Sequence, residues 1–150
     1  MGHTYTNLLE HIVFSTKGRR PLLDAELKPR LFAYMGGIFR QEKCVAFLIN
    51  GPTDHVHILA SLSPTVAPSA LIGTVKSNSS GWVHDTFPQH RDFAWQTGYS
   101  AFGVSQSLKK TVHDYIARQE EHHRKMTFKE ELIALLKKNE IEYDERYVFE

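Results

Sequence analysis

Ala46-Phe47-Leu48-Ile49, Asn50-Gly51-Pro52 and Asp54-His55-Val56-His57-Ile58-Leu59 are two apolar runs joined by a short turn. Residues 44–49 and 55–62 therefore read as the strands of a hairpin. Side chains on a strand point to the same face every second residue. His55 and His57 should then project side by side, with Val56 and Ile58 turned to the other face. Two imidazoles on one rigid face are half of a divalent-metal site. They are not a zinc centre by themselves, since such centres usually take four ligands, and Cys44 sits on the other strand. The bland alternative is two ordinary histidines, one hydrogen-bonded and one exposed.

Working outward from the hairpin, residues 8–15 hold Leu9, Ile12, Val13 and Phe14 and read as a strand, broken by Lys17-Gly18-Arg19-Arg20-Pro21. Asp24 can cap a helix running to about Gln41, with Leu27, Leu31, Tyr34, Met35 and Ile38 as its stripe. Pro64 and Pro68 open a second helix over about 68–83, whose Ser77-Asn78-Ser79-Ser80-Gly81 has poor helix propensity. Residues 93–102 are aromatic and strand-like. Ser105 or Ser107 can cap a long helix through about His122, with Leu108, Val112 and Ile116 as its stripe. Thr127 and Glu130 have capping-box spacing ahead of a last helix to Asn139. The final ten residues look irregular. The order β-α-β-β-α-β followed by two helices predicts an α+β chain. Its simplest form is a ferredoxin-like βαββαβ sandwich with an antiparallel sheet and additional C-terminal helices, one domain over 1–150.

Composition narrows the functional classes. The apolar fraction of 41% suffices for a core without staples. Cys44 is the only cysteine, so no intramolecular disulfide forms and a reducing cytoplasm is expected. No apolar stretch approaches a membrane span, and Met1 to Thr6 has no signal-peptide core, although it matches a myristoylation pattern by chance. The net charge of +1 hides an asymmetry: residues 1–129 carry 15 Lys and Arg against 10 Asp and Glu, and 130–150 carry 3 against 7. A modestly basic body thus carries an acidic tail from about residue 130. There is no P-loop or Gly-rich dinucleotide motif, so no nucleotide cofactor is expected.

Tyr115 and Gln119 are four residues apart and should lie one turn from each other on one helix face, flanked by Arg118 and His122. His122 and His123 point about 100° apart on a helix and cannot chelate one ion together. The neutral oxygen of Gln119 is a hard ligand, so His55, His57 and Gln119 suggest a divalent ion, Mg²⁺ or Mn²⁺, with open positions. Such an ion would act as Lewis acid on a phosphodiester, beside which Tyr115 would stand as nucleophile. Exchanging one ester for a phosphotyrosine keeps the bond energy, so strands could be rejoined without a nucleotide. The bland reading of Tyr115 is a border tyrosine that packs its ring and wets its hydroxyl.

Asp54-His55-Val56-His57, Trp95-Gln96-Thr97-Gly98-Tyr99 leading to Phe102, Tyr115 through Phe128, and the ending Ile141-Glu142-Tyr143-Asp144-Glu145-Arg146-Tyr147 together resemble the single-tyrosine transposases of the small bacterial insertion sequences, the IS200-like and REP-associated type. The resemblance implies a ferredoxin-like fold. It maps the histidine–hydrophobe–histidine motif to His55, Val56 and His57, the nucleophile to Tyr115 and the third metal ligand to Gln119. It implies a homodimer that binds single-stranded DNA, often at hairpins near element ends. Cutting would leave a 5′-phosphotyrosine and a free 3′-hydroxyl, and the strands would then be rejoined. In many members the tyrosine helix works against the other subunit's histidines. Lys76-Ser77-Asn78-Ser79-Ser80 is similar to the family's basic-serine helix but has fewer cations. Lys17, Arg19, Arg20, Lys76, Arg118, Arg124 and Lys125 are the candidate DNA contacts, and Trp82 and Trp95 either stack bases or fill the core. Competing readings are a catalytically silent, domesticated hairpin-binding protein, and a phosphodiesterase that uses water.

Overall fold

A computed structural model describes residues 2–150; Met1, and with it the start of the myristoylation pattern, lies outside them. Four strands form one antiparallel sheet: β1 (Leu9–Ser15), β2 (Val45–Asn50), β3 (His55–Ser61) and β4 (Ser100–Gly103), in the order β2-β3-β1-β4. With α1 (Leu27–Gln41) between β1 and β2 and α2 (Pro68–Thr86) between β3 and β4, this is the ferredoxin-like arrangement. Three further helices follow, α3 (Lys109–Ala117), α4 (Gln119–His122) and α5 (Phe128–Lys138). Among the described residues no helix is long and apolar enough to cross a membrane.

The period-two pattern sorts the sheet into two different faces. Ile12, Phe14, Val56, Ile58 and Ala60 pack with Leu27, Leu31, Met35, Phe39, Leu71, Ile72 and Val75 under α1 and α2. The opposite face carries His11 and Val13 from β1 and His55 and His57 from β3, and Val13 joins Phe102, Phe128, Leu132 and Leu136 in a second cluster under α5. Placing His57 against Val13 across the central pair puts His11 diagonally beside it.

Several expected boundaries move for local reasons. Asp24 does cap α1, its carboxylate accepting from the Leu27 N–H at 2.8 Å. α2 runs three residues past Val83, through the serine-rich stretch. Ser79 is buried there because its hydroxyl accepts from the Trp95 indole at 2.9 Å, so a poor helix former is held by a tertiary bond. The aromatic stretch 93–102 is a strand only at its end, with Trp95 making a single bridge to Thr16. Trp95 is core, and Trp82 stacks on Tyr34 with centroids 4.7 Å apart. Neither Ser105 nor Ser107 caps the third helix; their hydroxyls bond each other at 3.0 Å. The Thr127–Glu130 capping box forms as expected. The acidic end is not a free tail, since Tyr143, Val148 and Phe149 pack against the α5 cluster.

The hairpin turn depends on Gly51. A Cβ there would lie 2.1 Å from the His55 carbonyl oxygen, so the turn admits no side chain. Gly51→Ala should cost about 1–3 kcal/mol, read as a lower urea midpoint with an unchanged slope. An unchanged midpoint would remove this account of the turn.

Candidate metal and tyrosine site

On β3, His55 and His57 are fully buried with rings 5.1 Å apart, as the alternation requires. Each has its Nδ1 held by a neighbour. His55 Nδ1 lies 2.7 Å from Asp54 Oδ1, and His57 Nδ1 lies 2.7 Å from His11 Nε2. This leaves both Nε2 atoms facing the space under α3, α4 and α5. Orientation of a ring through its second nitrogen is how metal-binding histidines are usually set.

Tyr115 reaches these histidines within its own chain, its ring 5.9 Å from that of His57. The expected single long helix is in fact interrupted. α3 ends at Ala117, Arg118 leaves helical geometry at φ −101° and ψ 20°, and α4 restarts at Gln119. The side chain of Asn50, the last residue of β2, meets this helix end, donating to the Ile116 and Ala117 carbonyls at 2.9 and 3.3 Å. These are end-of-helix carbonyls that need a partner. The break turns Gln119 inward to full burial beside the histidines, so the tyrosine–glutamine pair meets the motif through a kink rather than along one straight face.

Two residues outside the expected set complete the arrangement, Glu131 from α5 and His123 beyond α4. Glu131 Oε1 lies 2.8 Å from His57 Nε2 and 2.8 Å from His123 Nε2. His55 Nε2 is 3.2 Å from the same oxygen but is not aligned for a hydrogen bond. Glu131 Oε2 accepts from the Tyr115 hydroxyl and from Gln119 Nε2 at 3.2 Å. His122 also reaches this carboxylate, its Nε2 3.3 Å from Glu131 Oε2 and 3.5 Å from the Tyr115 hydroxyl, so the adjacent histidines do not diverge as expected but approach different oxygens of one carboxylate. The spacing of Glu131 within an amphipathic helix gave one available signal: a charged residue between Phe128 and Leu132 on the buried stripe.

Burial opposes charge on Glu131, but its contacts with His123, His55 and His57 outweigh this and hold the carboxyl ionised, far below the usual carboxylate range. Burial, reinforced by that carboxylate, pushes the Tyr115 phenol above its ordinary value, so the hydroxyl is kept protonated. Burial also pushes His57 down to about 4 and, with His57 beside it, His11 down to about 3. His55 moves the other way: Asp54 and Glu131 overcome its burial and raise it.

The donors suit a divalent cation. His55, His57, His123 and Glu131 each offer one ligand atom, all within 4.8 Å of one another. Two buried polar atoms, His55 Nε2 and Gln119 Oε1, have no hydrogen-bond partner. Such atoms are costly to leave unpaired, and His55 Nε2 is one of the four donor atoms that an ion would satisfy.

A cleft of about 430 Å³ opens on Tyr115, lined also by Thr111, Arg118, Glu121, His122 and Lys125. Arg124 lines a neighbouring cleft with Asn50 and Arg118. Lys17, Arg19 and Arg20 are not part of either; Arg19 lies over the Phe149 ring and Arg20 pairs with Asp92. Lys76 is engaged elsewhere, its amine donating to the carbonyls of Gln96 and Gly98, and burial lowers it to about 8.

The two depressed imidazoles fix an acid limb. Unfolded, His11 and His57 take up protons near pH 6.5; folded, they stay neutral until about pH 3 and 4. The unfolded chain therefore binds more protons in that window, and stability falls as pH drops from about 6.5 towards 4. His11→Gln should flatten the slope of melting temperature against pH in this window; an unchanged slope would show that His11 does not contribute.

Comparison with known proteins identifies the family and supports the fold. The family described as "Transposase IS200 like" matches residues 4–119. The transposase for insertion sequence element IS200 of Salmonella typhimurium is 26% identical over 125 residues, 79% of this chain and 81% of that protein. The ISDra2 transposase TnpA of Deinococcus radiodurans is 25% identical over 124 residues, covering 79% and 89%. Among solved structures, a Deinococcus radiodurans protein superposes with a TM-score of 0.65 at 22% identity, covering 79% of this chain and 96% of that one. A REP-associated tyrosine transposase bound to a REP hairpin gives 0.61 at 14%, covering 82% and 73%. With 4–119 matched and the ferredoxin-like sheet carrying the paired histidines, the chain belongs to the IS200-like transposase family.

Proposed function

We propose that this transposase cuts and rejoins single-stranded DNA through a 5′-phosphotyrosine on Tyr115, with a divalent metal at His55, His57 and Gln119. The observation that carries the reading is the Tyr115 hydroxyl held beside converging imidazoles at the mouth of a cleft with Arg118 and Lys125. When bound, the ion would polarise the scissile phosphate. The protein's own groups do the rest. Arg118 and Lys125 attract the phosphate backbone into the cleft, with Arg124 extending the contact and Lys17, Arg19 and Arg20 as outlying candidates. Lys76 drops out of this set because its amine already serves three backbone carbonyls.

Tyr115 is quiet at rest. Burial and the nearby carboxylate keep the phenol protonated, so attack needs a group that takes its proton. Glu131 and His122 are the groups within reach of that proton as the phenolic oxygen attacks. The phenolic oxygen forms a bond to phosphorus, the bond to the 3′-oxygen breaks, and that oxygen leaves as a hydroxyl after taking a proton. The reverse step joins a 3′-hydroxyl to the phosphotyrosine. The hairpin-bound relative suggests folded single strands as substrate. A homodimer acting in the cytoplasm is part of the same reading, although Tyr115 meets the histidines of its own chain.

Incubating the protein with end-labelled single-stranded DNA from its element end and a divalent metal should give a covalent band on a denaturing gel. Tyr115→Phe should abolish that band, and His57→Ala should abolish it while largely sparing DNA binding. Cleavage without an adduct, unaffected by Tyr115→Phe, would mean that water is the nucleophile. DNA that is shifted but never cut would leave the domesticated hairpin-binding protein.

A further inference from the structure

A second cavity adjoins the open cleft at Tyr115. It has a volume of about 290 Å³ and lies between α3 and α5. Thr111, Tyr115 and His122 line both spaces, so these three side chains form the partition between them. The two spaces differ in chemistry. The cleft adds Arg118, Glu121 and Lys125 to the partition. The walls of the pocket are instead Val112 from α3, Met126 from the segment before α5, and Ala134 and Leu135 from α5. His11 and Glu131, both buried, close its inner end, and exposed Lys138 stands at its mouth.

These features suit a flat, neutral ring. The volume is at the lower end for a ligand pocket, which fits a single ring system. The His11 and Tyr115 rings stand 6.0 Å apart at 73°, so they offer an incoming ring one aromatic face and one aromatic edge. The Met126 thioether is a polarisable neighbour for the same ring. The Glu131 carboxylate repels an anion from the inner end, which leaves a phosphate outside, where Lys138 can meet it.

We propose that this pocket takes one unpaired nucleobase, that of a nucleotide next to the scissile phosphate, while the sugar–phosphate backbone stays in the cleft and at Lys138. This rests on the cleft at Tyr115 engaging single-stranded DNA. The partition explains the commitment to a base: a strand whose phosphate reaches the Tyr115 hydroxyl carries its flanking bases past Thr111 and His122. A base held there would be stacked and read, and it would fix the register of the strand on the nucleophile. Met126, Ala134, Leu135 and Lys138 lie beyond residues 4–119, so the segment matched to the family supplies only part of this pocket.

The test uses the intact chain with isotope-labelled methionine methyl groups. Its three methionines are Met1, Met35 and Met126. Met35 is buried in the core on the other face of the sheet and serves as the internal control. Octathymidylate and octadeoxyadenylate should shift the Met126 methyl resonance upfield through the ring current of the seated base and leave Met35 in place. A fully abasic strand of the same length, which keeps the phosphates and lacks the bases, should bind without that shift. Ala134→Phe should fill the pocket, remove the shift and weaken the base-bearing strands by about tenfold in fluorescence anisotropy. Its affinity for the abasic strand should match the parent's. Val112→Phe fills the pocket from α3 and serves if Ala134→Phe does not fold by circular dichroism. An unmoved Met126 resonance at saturating octanucleotide would overturn this inference and leave the cleft reading standing. Equal weakening of the base-bearing and abasic strands in the filled variants would do the same. Failure of the parent protein to bind either kind of strand would overturn the single-strand reading, and this inference with it.

Discussion

The Glu131 carboxylate, 2% exposed, is the contact around which the functional half of the molecule is arranged. Removing an ion from water costs several kcal/mol unless its lone pairs are filled. Here they are filled by residues from different parts of the chain: His57 from β3, His123 from the loop after α4, Gln119 from α4 and Tyr115 from α3. α5 is held over the sheet by Phe128, Leu132 and Leu136, and this apolar packing carries the carboxylate to the one place where those partners converge. Neither half is sufficient alone. The apolar stripe sets where α5 lies, and the polar network sets its depth and register.

The sheet presents two chemistries because alternation makes it two-faced. One face is mainly apolar and is covered by α1 and α2. The other places His11, His55 and His57 on the two central strands, each paired on both sides. Backbone pairing fixes the distances between these rings, and second-nitrogen contacts to Asp54 and His11 fix their orientation. The tyrosine is positioned less directly. Its helix ends against Asn50, the last residue of β2, so the strand beside the histidine strand also sets where Tyr115 and Gln119 point. Lys109 over the Phe47 ring at 3.6 Å ties the start of the same helix to β2.

Much of this was legible before any coordinates. The alternation at His55-Val56-His57, the hairpin and the element order gave the ferredoxin-like sheet, because strand periodicity and turn chemistry are local properties of the chain. The capping box at Thr127 and the Asp24 cap were legible for the same reason. The misread places depended on partners distant in sequence. The extension of α2 through Ser77-Asn78-Ser79-Ser80-Gly81 rests on the Trp95 bond to Ser79, the break at Arg118 lies against Asn50, and the short fourth strand reflects residues 93–99 being committed to Thr16, Ser15 and Lys76.

The sequence by itself determined which face each histidine takes and that a tyrosine and a glutamine would follow on a later helix, since both follow from periods of two and 3.6 residues. Only the tertiary structure decided what lies opposite the histidines. Glu131 is 74 residues from His57 in the chain, and its spacing in α5 reads as one charged position on a buried stripe. A buried charge is tolerable only where its partners meet, and that meeting point is made by the packing of α5, by the kink after Ala117 and by the pairing of the central strands together.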